Sequence, residues 1–241
     1  MENENSSKTI IPSRTKIAEV PVFYPQFEKA HFVIIGGLAR GGKGVLMQDI
    51  VSKVTETHPE FRFWGKIMIL CPTANLQDSY REMFPQEWTM TQFDIDTVIR
   101  ELLDSQEQLA DHERQRVLLI IDDVIGVCTS KLLQRLAVSG RWYKIDTIIL
   151  AQHLKGLINP CIRSNASYIL CTKVSGSSRQ VIIDEIPRNI FPTTNKAKQF
   201  VDANMQIPYQ FIGLSNNPEE PPVFTMKVNM DEFNPISFRL E

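Results

Sequence analysis

The chain has 241 residues, 43% hydrophobic and 22% charged, with a formal net charge of −2. That composition supplies one large core and points to a soluble α/β protein, and no apolar run approaches the ~20 residues that a membrane-spanning helix needs. Four cysteines (Cys71, Cys128, Cys161 and Cys171) lie far apart with no CxxC pair, which argues against a disulfide framework and a zinc site, and for a reducing compartment.

Residues 1–29 begin polar and acidic, unlike a secretory signal, and continue as an extended arm in which Pro12, Pro21 and Pro25 discourage helix. Val22, Phe23, Tyr24 and Phe27 are expected to pack on the edge of the core or on a neighbouring subunit. Residues 30–241 read as one domain. His31 to Ile35 is a short buried strand, followed by a glycine-rich turn and a helix from about Gly44 to Thr57. Within the turn, Gly37, four residues, Gly42 and Lys43 match a phosphate-binding loop at every position but the last. Glycines let the backbone curl until successive N–H groups point inward at phosphate oxygens, and the following helix adds its positive amino end. The candidate cradle is therefore Gly37, Leu38, Ala39, Arg40, Gly41, Gly42, Lys43, Gly44 and Val45, with Lys43 reaching the terminal phosphates. Gly44 is the departure: the pattern has Ser or Thr here, placing a hydroxyl on Mg²⁺, and Val45, Leu46 and Met47 offer no replacement.

Lys66–Thr73 reads as a second strand, closed by Pro72, and Asn75–Met83 and Phe93–Gln115 read as helices. The apolar stripe Ile95, Val98, Ile99, Leu102 and Leu103 is core packing. Val117–Val124 is an apolar run that ends in Asp122 and Asp123, as expected of a central parallel strand carrying ligand-binding groups at its carboxyl edge. An acidic pair after a strand also serves as a helix cap; a phosphate loop upstream favours the chemical reading. In that reading Asp122 holds Mg²⁺ through its water shell and Asp123 orients or deprotonates the attacking water. Ser130–Gly140 is a helix with Ser130 as its cap. Asp146–Gln152 is another buried strand, whose terminal Gln152 either ends the strand or senses phosphate and positions water. Ser167–Lys173 is a strand, and Ser175 opens a helix. Alternating strands and helices over 31–186 predict a mainly parallel sheet covered on both faces, and strands near Tyr209–Leu214 and Val223–Val228 predict an antiparallel addition.

The charge is unevenly divided. Residues 30–127 hold 9 Lys and Arg against 15 Asp and Glu, whereas residues 128–208 hold 11 against 4. The basic segment is either a set of solvated helix faces or a surface that meets a polyanion.

Several of these stretches together resemble the FtsK–HerA-type P-loop ATPases, specifically the viral genome-packaging branch of poxviruses and other large or tailless double-stranded DNA viruses. They are Val33-Ile-Ile-Gly-Gly through Lys43, Leu118-Leu-Ile-Ile-Asp-Asp123, Ser139-Gly-Arg-Trp142 leading into Thr147-Ile-Ile-Leu-Ala-Gln152, and Ile158-Asn-Pro-Cys-Ile-Arg163-Ser-Asn165. The resemblance implies a RecA-like domain in a homo-oligomeric ring, a pentamer or hexamer, with duplex DNA in the pore and ATP and Mg²⁺ between subunits. It implies an arginine that reaches the neighbour's nucleotide; Arg163 matches the Ile-Arg-x-Asn motif, Arg179 resembles the Ser-Arg motif of the cellular members, and both also suit bracing of the sheet edge or the ring interface. It implies a capsid or vertex protein as partner, without a membrane span, and action in the host cytoplasm or viral factory or on the virion. Asp122-Asp123 stands where cellular relatives carry Asp-Glu. Two other readings stay open on the residues: a P-loop kinase of a small metabolite, and a nucleotide-binding scaffold that does not hydrolyse because of Gly44.

Overall fold

A computed structural model describes residues 20–58, 63–123 and 131–238. In chain order the elements are β1 (Phe32–Gly36), α1 (Lys43–Thr57), β2 (Lys66–Leu70), α2 (Asp78–Met83), β3 (Thr89–Met90), α3 (Ile95–Glu107), β4 (Val117–Asp122) and α4 (Lys131–Ser139). They continue with β5 (Ile145–Ala151), α5 (Pro160–Asn165), β6 (Tyr168–Cys171), α6 (Gly176–Glu185), α7 (Thr194–Asn204), β7 (Gln210–Ser215) and β8 (Val223–Lys227).

The strands form one sheet in the order β3-β2-β4-β5-β1-β6-β7-β8. Every pair from β3 to β6 is parallel, and β6–β7 and β7–β8 are antiparallel. The apolar runs explain the centre: β1 and β4 are buried at every position because helices cover both faces. Alternation sorts their side chains. Phe32, Ile34, Leu119 and Ile121 meet α3, α4, α5, α6 and α7, while Val33, Ile35, Leu118 and Ile120 meet α1 and α2. At roughly 1.5–3 kcal/mol for each fully buried aliphatic side chain, these two layers fix which strands stand side by side.

The differences from the sequence reading have local causes. The helix expected to run to Gln115 stops at Glu107, since 108–115 offers Leu109 as its one bulky apolar residue and that side chain is 40% exposed. The chain instead folds back, with Gln106 Nε2 donating to the Gln115 carbonyl at 2.9 Å. The helix expected from Asn75 is a 3₁₀ turn over Ala74–Leu76, an extended Gln77, and then α2. β3, α5 and α7 were not expected. α5 is set by Asn159, whose side chain accepts from the Ile162 N–H at 3.0 Å, with Pro160 in the first turn. Val124 and the Ser130 cap lie outside the described residues.

The arm packs on its own domain. Val22 bridges to Thr225, Phe23 meets Phe224 edge to face at 5.4 Å, and Phe27 is buried. The other end of the described chain returns to the same face: the Ile236 N–H donates to Ser52 Oγ at 2.9 Å, the Phe238 N–H donates to the Met83 carbonyl at 2.7 Å, and Phe238 stacks on Phe84. At the amino edge of the sheet, buried Asp146 accepts from Trp64 Nε1 at 2.7 Å and from Arg116 Nε at 2.6 Å, and pairs with His31 Nδ1 at 3.0 Å. No helix among the described residues is long and apolar enough to cross a membrane.

Candidate functional site

The loop between β1 and α1 leaves the carboxyl edge of the sheet between β5 and β6. Its backbone is fixed on both sides: the Gly37 N–H donates to the Ala151 carbonyl at 3.0 Å, and the Leu38 N–H donates to the Lys173 carbonyl at 2.7 Å. Three positions need glycine, Gly41 among them because a Cβ there would lie 2.9 Å from the Leu38 carbonyl oxygen. Gly42 has φ +89°, and a Cβ at Gly37 would lie 2.5 Å from Thr172 Cγ2. Arg40 also sits at positive φ, +59°, at the exposed tip of the turn. Ala39 is exposed, Leu38, Gly41, Gly44 and Val45 are half-buried, and Lys43 is 9% exposed.

Lys43 Nζ bends back over the loop, donating to the Gly37 carbonyl at 2.9 Å and the Leu38 carbonyl at 3.1 Å. Burial lowers the pKa of this ammonium, and the facing carboxylates of Asp122 and Asp123 oppose the shift. Asp122 closes β4 and is itself buried; burial pushes its carboxyl pKa up, while a hydrogen bond from Tyr80 and the charge of Lys43 pull it down. Tyr80 Oη donates to Asp122 Oδ2 at 2.8 Å and is 2% exposed.

Asp123 is the more open of the pair. Its φ of +54° turns it out of the strand direction, a conformation aspartate tolerates better than most residues. Gln152, just past β5, donates from Nε2 to Asp123 Oδ1 at 3.2 Å, and Thr73, just past β2, donates from Oγ1 to Oδ2 at 3.1 Å. Gln77 Nε2 in turn donates to Thr73 Oγ1 at 2.8 Å. Three neighbouring strands therefore deliver Asp122, Asp123, Gln152 and Thr73 to one edge, beside Lys43.

Neither candidate arginine joins this group. Arg163 lies in α5, which leads into the start of β6, so it sits at the amino edge of the sheet, opposite the loop; its side chain, 51% exposed, pairs with Glu185 at 3.2 Å. Arg179 is in the first turns of α6, near the carboxyl edge, and makes a two-pronged contact with Asp202 of α7. The basic segment also spends charge internally, with Arg135 on Glu107 and Lys144 on Asp111.

Thr73, Gln77 and Tyr80 were missed. Thr73 carried the signal that exposed Gln152, a polar residue ending a buried strand, but only the pairing of β2 with β4 brings it to Asp123. Tyr80, in a short amphipathic helix, reads as core.

The donor set suits a hard cation and a phosphate: a carboxylate and hydroxyls at one edge, and a buried ammonium on a glycine turn. Among the described residues no cluster of three or more His, Cys, Asp or Glu forms a metal cage of its own. Mg²⁺ is characteristically held by one or two carboxylates together with substrate phosphates, and Asp122 fits that use.

This sheet and loop define the P-loop NTPase fold. Residues 26–203 match the poxvirus A32 protein family, and the chain belongs to that family. Among solved structures, the genome packaging NTPase B204 from Sulfolobus turreted icosahedral virus 2 in complex with AMPPCP is similar, at 13% identity and TM-score 0.55 over 83% of this chain and 98% of that one. The same NTPase in complex with AMP gives 15% identity and TM-score 0.55 over 79% and 95%. The pCW3 conjugation coupling protein TcpA, in its monomer form with ATPγS, gives 13% identity and TM-score 0.53; the match covers 89% of this chain and spans 62% of that one. At these identities the likeness is one of fold. Curated proteins include no match.

Proposed function

We propose that this chain is an ATPase that drives double-stranded viral DNA into a preformed capsid, working as a homo-oligomeric ring in the viral factory or host cytoplasm. The carrying observation is the meeting of Lys43 with Asp122 and Asp123 at one sheet edge, with Gln152 and Thr73 gripping the second carboxylate. Membership of the poxvirus A32 family, and the likeness of the fold to a viral packaging NTPase, support the packaging reading.

In this mechanism the N–H groups of Ala39, Arg40, Gly42, Lys43 and Gly44 are the loop's donors to the phosphate chain, those of Gly37, Leu38 and Gly41 being spent on backbone carbonyls, and Lys43 exchanges its loop carbonyls for terminal phosphate oxygens. Asp122 would be the protein carboxylate that holds Mg²⁺, which would supply neutralisation of the charge on the phosphates. Asp123 accepts the proton of, or orients, the attacking water, and the two donors on its oxygens hold its carboxylate plane. Arg163, far from its own loop, is suited to reach a neighbouring subunit's phosphates after leaving Glu185. A trans arginine stabilises charge that appears only in the transition state, so it acts on rate more than on affinity.

The test is steady-state phosphate release from Mg²⁺-ATP, with and without long duplex DNA, for wild type and Lys43→Ala. Release that rises with DNA and is lost in the variant supports the motor. Release indifferent to DNA points to another P-loop enzyme. Nucleotide binding without release favours a second reading, the non-hydrolysing scaffold, which the glycine at position 44 motivates.

A further inference from the structure

Gly44 leaves the loop without a hydroxyl, and the fold brings one in from elsewhere. α2 lies against α1, tied by Gln48 Nε2, which donates to the Ser79 carbonyl at 2.9 Å. A Cβ at Gly44 would have Ser79 Oγ at 3.9 Å, with no other side chain or backbone atom closer in the surrounding fold. The Ser79 side chain is half-buried, and its hydroxyl makes no hydrogen bond to another described residue. The next residue, Tyr80, is the one that donates to Asp122. One turn of α2 thus presents two hydroxyls to the space between the start of α1 and the end of β4, one already bonded to the carboxylate and one not.

We propose that Ser79 supplies from α2 the hydroxyl that the phosphate loop lacks, facing the magnesium of a bound Mg²⁺-nucleotide, while Tyr80 serves as the hydrogen-bond partner of Asp122. The inference rests on the nucleotide-binding reading above. Its physical sense is that a loop Ser or Thr does two jobs, contacting the ion and bonding the neighbouring carboxylate; here the jobs are divided between adjacent residues of another helix. The ion keeps several waters, so a hydroxyl set back from the loop can act on a bound water. Groups at that remove typically contribute 10–100-fold in metal affinity.

The experiment measures equilibrium binding of a fluorescent ATP analogue to the full chain in EDTA and in Mg²⁺, together with Mn²⁺ affinity by electron paramagnetic resonance in the presence of ADP. Ser79→Ala should leave affinity in EDTA unchanged and cut the metal-dependent gain by roughly tenfold or more. Ser79→Thr should keep the gain, and Gly44→Ser combined with Ser79→Ala should recover it. Gly44→Ser alone, which needs no damaged α2, should add little, because the hydroxyl is already provided. The inference is overturned by an undiminished gain in Ser79→Ala, by Ser79→Thr behaving like Ser79→Ala, or by a large gain from Gly44→Ser alone. A wild type that binds no nucleotide overturns the nucleotide reading itself and takes this inference with it, whereas a normal metal gain in both wild type and Ser79→Ala removes Ser79 alone.

Discussion

Gln152 donates its amide to Asp123 Oδ1 across 3.2 Å, from the end of the strand that neighbours β4. The contact links the residue suited to sensing a terminal phosphate with the residue suited to activating water. Asp123→Asn removes the base and should lower turnover by about 10²–10⁴-fold, the range for general base catalysis, with ATP affinity retained. Gln152→Ala frees one carboxylate oxygen and should lower kcat by less, again without weakening binding. Phosphate release beside nucleotide titration separates the two; equal losses of affinity and rate in either variant would assign these residues to binding.

Asp122 carries a charge in a buried position, and burial disfavours the ionised form. Asp122→Asn keeps an acceptor for the Tyr80 hydroxyl and removes the charge. We expect this variant to lose Mg²⁺-dependent turnover while its Tm rises, by ~2–4 °C for each kcal/mol recovered in a chain of this size. Differential scanning calorimetry of the two proteins without nucleotide checks it, and a lower Tm would show that the carboxylate stabilises the fold.

The amino edge behaves in the opposite way. Asp146 is held by Trp64, Arg116 and His31. Asp146→Ala takes the acceptor from the indole N–H and leaves Arg116 only the Glu28 carbonyl; breaking a buried pair costs about 3–5 kcal/mol, and the 25% exposed Arg116 side chain puts this loss at the lower end. Urea unfolding should show that loss, and the folded variant should still bind nucleotide, because the network lies at the far end of β5 from the loop.

Burial raises the pKa of the Cys171 thiol strongly. Cys171 and the buried Cys71 should resist iodoacetamide in the native protein, while half-exposed Cys161 alkylates. Mass spectrometry after limited labelling reads this out; early modification of Cys171 would mean that β6 opens readily.

Arg163→Ala should bind ATP as wild type does and hydrolyse it slowly. Mixed with Asp123→Asn subunits, it should regain part of the lost activity, because each variant donates the part the other lacks. No recovery in the mixture would leave Arg163 as the Glu185 partner and nothing more.

Much of the site was legible because its residues obey local rules. A glycine turn with a lysine in register and an acidic pair after an apolar strand can be read without knowing which strands adjoin. Thr73 and Ser79 could not be read that way: they matter only because β2 pairs with β4 and α2 rests on α1. The short α5 was likewise hidden in a sequence whose Asn159 and Pro160 fit a cap as well as a turn, and the overlong helix to Gln115 came from polar residues compatible with helix but lacking a face to bury.

The two ends of the described chain both close on the face that carries α1. Val22 meets Thr225, and Ile236 and Phe238 attach to Ser52 and Met83, joining residues far apart in sequence. Contacts of such long range form late, since the loop between partners must close first. On the ribosome, α2 therefore gains its outer support only after the last of these residues has emerged. Deletion of residues 229–238 would loosen the helix that carries Ser79 and Tyr80 without touching the loop itself.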